Sequence, residues 1–281
     1  MTLHIGRGTT RGAMTVFPLW SAEGGPDRYT LDPRHLVVSE MHDGPDVGRL
    51  MVGNAGDKAV LVLEGQLFEG GWQHRMATRP VMVGAGQRIA VEVACVEQGR
   101  WGGGRAQRTV GRRATPYIRE AVRGHADVQG EVWERVARHT AGTDNPTTSF
   151  VRHLDERTAS VDWSDYRLLP GQSGVLIGVG GQPYVGEVFS SQRRLRVQLD
   201  AILRAAALDA WHAPGVPTPG RRARRFVDRF EAAALGDRRP AGEAEEIAGR
   251  TPYVDASTLR WQGRDVHSRM TNVRHPMLVA G

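Results

Sequence analysis

The feature that most constrains this chain is how its apolar residues are parcelled: through the first hundred positions they come in short runs cut apart by glycine, aspartate and proline. Such runs are too brief for helices and are bounded by turn formers, so they predict strands at 14–20, 36–40, 49–52, 59–63, 81–83 and 88–96. In the last of these, Ile89, Val91, Val93 and Cys95 alternate with Ala90, Glu92, Ala94 and Val96, the period of two of a half-buried antiparallel strand. Gly102, Gly103 and Gly104 break that pattern, and an arginine-rich loop to Arg113 leads into a predicted helix over 117–138. Its inner stripe would be Ile118, Ala121, Val122, His125, Val128, Gln129, Val132 and Val136. A hairpin is predicted from 175–179 and 184–188, then a helix over 193–211 ended by Pro214, Pro217 and Pro219. A further helix at 221–235 turns Phe226, Phe230 and Ala233 inward, and its arginines read as a solvated face. Last come strands near 259–261 and 265–270.

Together these elements predict the α+β class: an antiparallel, β-sandwich-like N-terminal half with helices packed from the C-terminal half. The chain is expected to be one domain over 1–281, β-rich over 1–104 and helix-rich with a β-hairpin over 105–281.

The longest apolar run, 59–63, is far too short to span a bilayer, and the N-terminus carries no apolar segment of the signal-peptide kind, so a cytoplasmic protein with no membrane partner is expected. A single cysteine, Cys95, excludes an internal disulfide framework and a multi-cysteine zinc site. The sequence pI near 10.2 invites a nucleic-acid reading. Yet Lys58 is the sole lysine and arginines are spread along the chain, a bias that source-genome composition explains, so nucleic acid is not the expected partner. No P-loop, Rossmann fingerprint, nucleophile elbow or His-Glu-x-x-His helix occurs.

Two motifs carry chemistry. The first runs from Leu63-Glu64-Gly65-Gln66 to Gly70-Gly71-Trp72-Gln73-His74-Arg75, where a carboxylate ends an apolar strand and an amide, an imidazole and a guanidinium follow. The second is Ala94-Cys95-Val96-Glu97-Gln98-Gly99-Arg100-Trp101. If 59–63, 81–83 and 88–96 form a simple meander, Glu64 and Glu97 emerge at one sheet edge; an extra strand at 71–76 would reverse the parity. Paired carboxylates could divide acid and base roles, making Glu64 and Glu97 the catalytic candidates. Arg75 and Arg100 could clamp a phosphate while Trp101 or Trp72 stacks on a base, with Gln73 and Gln129 as further ligand-binding candidates. The alternative is that the two arginines pair with Glu64 and Glu97 and merely fix strand ends. Cys95, His74 and His267 are secondary candidates, Cys95 being better suited to packing than to nucleophilic attack. Two carboxylates are too few to assign a metal, and no cofactor is assigned.

On these motifs, together with Phe17-Pro18-Leu19, the segment 54–58, and Gln129 with Trp133, the chain resembles the ARG and Rhodanese-Phosphatase-superfamily-associated protein (ARPP) domain family, ARG denoting ADP-ribosylglycohydrolase. The resemblance implies a neighbourhood concerned with ADP-ribose or related nucleotides. The expected function is therefore binding of ADP-ribose or a similar phosphate-containing small molecule, with hydrolysis of a glycosidic or phosphate bond if the chain is an enzyme. The alternative is a non-catalytic ligand-sensing or adaptor module partnering an ADP-ribosylglycohydrolase-type enzyme. Nucleic-acid binding through 105–113 and 221–229 ranks last.

Overall fold

Strand pairing in the computed structural model, which describes residues 1–22, 24, 28–157 and 162–279, divides the chain into two compact units. One is Arg28–Asp162; the other joins Met1–Asp27 to Trp163–Gly281. Among the described residues no helix is long and apolar enough to cross a membrane.

In the unit Arg28–Asp162, six strands close into a barrel in the order Arg88–Cys95, Arg49–Asn54, Leu36–Ser39, Ala106–Arg108, Leu67–Gly70 and Arg75–Ala77. Closure leaves no unpaired edge to protect. A small sheet of Val81–Val83, Ala59–Val62 and Tyr29–Thr30 lies against it, and Val62 and Val83 complete a core with Val38, Leu50, Val52, Phe68, Ala77, Val91 and Val93. The alternation read in 88–96 therefore holds for Val91, Glu92 and Val93, the valines inward and the glutamate out. It lapses at Ala94 and Val96, which are also buried.

The helix predicted over 117–138 is two helices, Pro116–Glu120 and Val128–Thr140. Gly124 takes φ +73° between them, and Asp127 caps the second by accepting the Gly130 amide at 2.8 Å. His125 is consequently exposed rather than part of an inner stripe, while Ile118, Ala121, Val132 and Val136 are buried as predicted. A third helix, Phe150–Arg157, follows.

The other unit is built on a nine-stranded antiparallel sheet. Its order is Leu3–Ile5, Met14–Ser21, Gly174–Val179, Gln182–Phe189, Arg264–Asn272, Val254–Trp261, Ala244–Arg250 and Asp237–Ala241, with Thr9–Arg11 also pairing on Met14–Ser21. The predicted hairpin turns at Gly180 and Gly181, both with positive φ. Helix Gly220–Glu231 presses Ala223, Phe226, Val227 and Phe230 onto one sheet face formed by Phe17, Leu19, Leu176, Val188, Ala256 and Met270. Helix Gln192–Asp209 supplies the remaining long helix of this unit. The α+β class is the observed one.

Candidate functional site

Both motifs fall in the unit Arg28–Asp162, on strands that pair directly: Arg75 is the cross-strand partner of Cys95 and of Phe68. The Arg75 side chain is completely buried. Its Nη1 donates to both oxygens of Glu40, at 3.0 and 2.8 Å. Glu40 Oε1 also accepts the Trp72 amide at 3.2 Å and Gln107 Nε2 at 3.0 Å, so one carboxylate ties the bend at Trp72 and the strand Ala106–Arg108 to one guanidinium. Arg75 Nε and Nη2, with the amide oxygens of Gln73 and Gln107, are buried without a hydrogen-bond partner among the described residues.

Glu97 forms a second centre. Its Oε2 accepts the His74 amide at 3.1 Å and Arg100 Nε and Nη2 at 2.9 and 2.6 Å, and its Oε1 accepts the Thr147 hydroxyl at 3.0 Å. Burial works to raise the Glu97 pKa, but the Arg100 bond and the His74 contacts outweigh it and hold the carboxyl below its ordinary range. Glu97 is therefore a poor proton donor at neutral pH. Arg100 turns its other N–H groups to backbone carbonyls, Gly71 at 2.8 Å, Gly102 at 3.2 Å and Gly70 at 3.4 Å. Gly103 permits this close weave: a Cβ there would lie 2.3 Å from the Gly71 carbonyl oxygen. His74 Nδ1 accepts the Gly70 amide at 3.0 Å, which assigns the ring proton to Nε2, 3.7 Å from Glu97 Oε2. Burial lowers the His74 pKa against the pull of Glu97, so the ring is neutral and has no free nitrogen to act as a base.

Glu64 belongs to a different set. Its carboxylate pairs with Arg123, and its carbonyl accepts Arg113 Nε and Nη2 at 3.2 and 2.9 Å. The simple meander is not formed, because Val81–Val83 pairs with Ala59–Val62 whereas Arg88–Cys95 pairs with Arg49–Asn54 and Arg75–Ala77. Of the ion pairs weighed from the sequence, Arg100 with Glu97 is present, and Arg75 takes Glu40 instead of Glu64. Glu40, Gln107 and Thr147 were missed. Glu40 closes the apolar strand Leu36–Ser39, the same signal that singled out Glu64.

Gln129, at the start of Val128–Thr140, completes the open side of Cys95 as another strand would: its Oε1 accepts the Cys95 amide at 2.8 Å and its Nε2 donates to the Cys95 carbonyl at 2.9 Å. Gln129→Ala leaves both peptide groups unsatisfied and should lower unfolding free energy by about 1–3 kcal/mol in urea titration. An unchanged midpoint would mean that these bonds contribute nothing. The Cys95 thiol donates to the Glu97 carbonyl at 3.1 Å, and burial raises its pKa, which keeps it a protonated packing group. His267 lies in the other unit, with Nε2 3.1 Å from a Glu187 carboxylate oxygen and its ring against Phe189. Among the described residues no group of three or more His, Cys, Asp or Glu is placed to hold a metal ion.

What the two centres leave at the surface is aromatic. Trp101 is 52% exposed and meets the partly buried Trp72 edge to face at 5.4 Å. Beneath them, Arg100 and Glu97 hold the carrying loops by backbone and ion-pair contacts.

A family model described as the ARG and Rhodanese-Phosphatase-superfamily-associated Protein domain matches residues 2–271. The chain belongs to that family. No curated protein and no solved structure matches it.

Proposed function

Proceeding from that family membership, we propose that the chain is a non-catalytic binding module that takes ADP-ribose or a related nucleotide at the Trp72–Trp101 surface and works alongside an ADP-ribose-processing enzyme. The cytoplasmic setting expected from the sequence is part of the proposal. The observation that carries it is that the groups suited to acid–base work are already engaged: both Glu97 oxygens accept hydrogen bonds, each Arg100 nitrogen donates, and His74 offers no free acceptor nitrogen. A catalytic carboxyl needs a pKa near the working pH and a proton free to move, whereas Glu97 is held ionised. Exposed indole, by contrast, is suited to stacking on a nucleobase, an interaction worth about 1–3 kcal/mol per base.

Calorimetry with ADP-ribose, followed by chromatography of the incubated ligand, tests this directly. Saturable binding without product is expected, and Trp101→Ala should weaken it by about tenfold, corresponding to about 1.4 kcal/mol. Consumption of ADP-ribose by the purified chain would replace the binding role with a hydrolytic one. Identical affinity in the Trp101→Ala variant would move the ligand away from this surface.

A further inference from the structure

The two arginine-rich segments of the chain have different environments. In 105–113 the charges are tied down: Arg105 donates to the Met41 and His42 carbonyls, Arg108 and Arg112 pair with Glu69, and Arg113 donates to the Glu64 carbonyl. On helix Gly220–Glu231, Arg221 and Arg225 are exposed and have no hydrogen bond or ion pair among the described residues. Arg222 and Arg224 reach only backbone carbonyls, of Gly181 and Ile5. At the end of this ridge the Arg229 guanidinium lies 4.0 Å from the centre of the Tyr253 ring, and the Arg274 guanidinium lies 5.5 Å from the same ring. Neither cation has a carboxylate partner among the described residues, and Glu231 is turned to the Leu3 amide. Two like charges gathered on one ring repel each other, a cost that an anion between them removes.

We propose that Arg221, Arg225, Arg229 and Arg274, with Tyr253, form a docking surface for the sugar-phosphate backbone of a single-stranded nucleic acid. Positions 221, 225 and 229 stack along one face about 6 Å apart, so the ridge runs about 12 Å. An extended single strand carries one phosphate per nucleotide, which gives each of the three ridge arginines a phosphate to contact. A guanidinium placed over an aromatic ring keeps its forked donors, the geometry a phosphate accepts in pairs. Tyr253 is 44% exposed, and an aromatic side chain open to solvent beside the cations favours a single strand, whose bases can reach it, over a duplex whose bases are stacked inside. An acidic peptide would use the charges and leave the ring idle. The formal net charge of +6 assists approach of any polyanion. This surface lies in the unit that contains His267, not in the one carrying Trp72 and Trp101, so the two ligand proposals stand or fall separately.

Fluorescence anisotropy of a labelled oligothymidylate, followed over about 50–200 mM salt with the full chain, tests the proposal. Four phosphate contacts at about 0.7 each predict a log–log salt slope near −3. The double variant R229Q/R274Q should reduce that slope by about 1.4 and weaken binding by at least about tenfold at low salt. Tyr253→Leu should weaken binding while leaving the slope unchanged. Arg229→Lys, which keeps the charge and loses the fork, should fall between wild type and the double variant; unchanged thermal melting of each variant establishes that folding is intact. Absence of binding at low salt, equal binding by wild type and the double variant, equal affinity for duplex, or displacement of the oligonucleotide by polyglutamate at matched charge would each overturn it.

Discussion

Glu40→Ala is expected to lower the unfolding free energy of the unit Arg28–Asp162 by about 3–5 kcal/mol, the range found when one partner of a buried ion pair is removed. The Arg75 side chain is wholly buried, and every hydrogen bond it makes goes to Glu40. Without that carboxylate a full positive charge stays in the barrel with no counter-ion, and the Trp72 amide and Gln107 Nε2 lose their acceptor as well. Guanidinium titration followed by tryptophan fluorescence provides the measurement. A loss below about 1 kcal/mol would show that Arg75 finds compensation elsewhere. The paired change Glu40→Leu with Arg75→Met removes both charges, so it should recover much of the loss even though neither single substitution is tolerated. If the double variant is as unstable as Glu40→Ala, shape rather than charge sets the cost.

Acidification is expected to destabilise the same unit in two successive windows. The His153 pKa is lowered from 6.5 to about 4, first by burial and then by the neighbouring His139 and Arg157 charges. Its Nδ1 has no hydrogen-bond partner among the described residues that could stabilise the cation. Below pH 6.5 the unfolded chain takes up a proton that the folded chain refuses, so stability falls with pH until both states are protonated near pH 4. A difference of this size corresponds to about 3 kcal/mol in total. Glu97 acts in the lower window. Its folded pKa lies below the usual 4.5, so its contribution is present above that value and is lost as pH falls through the folded pKa. Unfolding midpoints for wild type and His153→Phe at a series of pH values separate the two windows. The variant should lose most of the dependence between pH 6.5 and 4, retaining the part due to His74, whose pKa burial also lowers, and keep the one below. Parallel curves over the upper range would exclude His153 as its source.

The strands that were legible beforehand are those whose inward residues are apolar. Ala59–Val62, Val81–Val83, Met14–Ser21 and the hairpin around Gly180 lie within a residue or two of prediction. Leu67–Gly70 and Ala106–Arg108 were not legible, and Arg75–Ala77 entered only as the alternative of an extra strand at 71–76, because they send Glu69, Gln107 and Arg75 inward and break the apolar alternation on which strand recognition depends. Ala244–Arg250 escaped for a similar reason, with Glu246 buried in its middle. The break in the helix predicted over 117–138 turns on Gly124 and the Asp127 cap, signals present in the sequence but outweighed by the apolar spacing on either side.

The sequence by itself determined the α+β class, the principal apolar strands and the two polar motifs, since each depends on side-chain type and spacing over a few neighbouring residues. Tertiary structure alone decided what those polar groups do. Arg75 finds Glu40 thirty-five positions away, Glu97 is completed by Thr147 fifty positions on, and Arg229 meets Tyr253 across a turn and two strands. Ion pairing and desolvation depend on distance through space, and no local pattern encodes that distance. The same carboxylate–arginine–tryptophan motif is compatible with a catalytic pocket or with a brace for strand ends. The hydrogen bonds made by Glu97, Arg100 and His74 are those of a brace, and Trp101 is the exposed indole beside them.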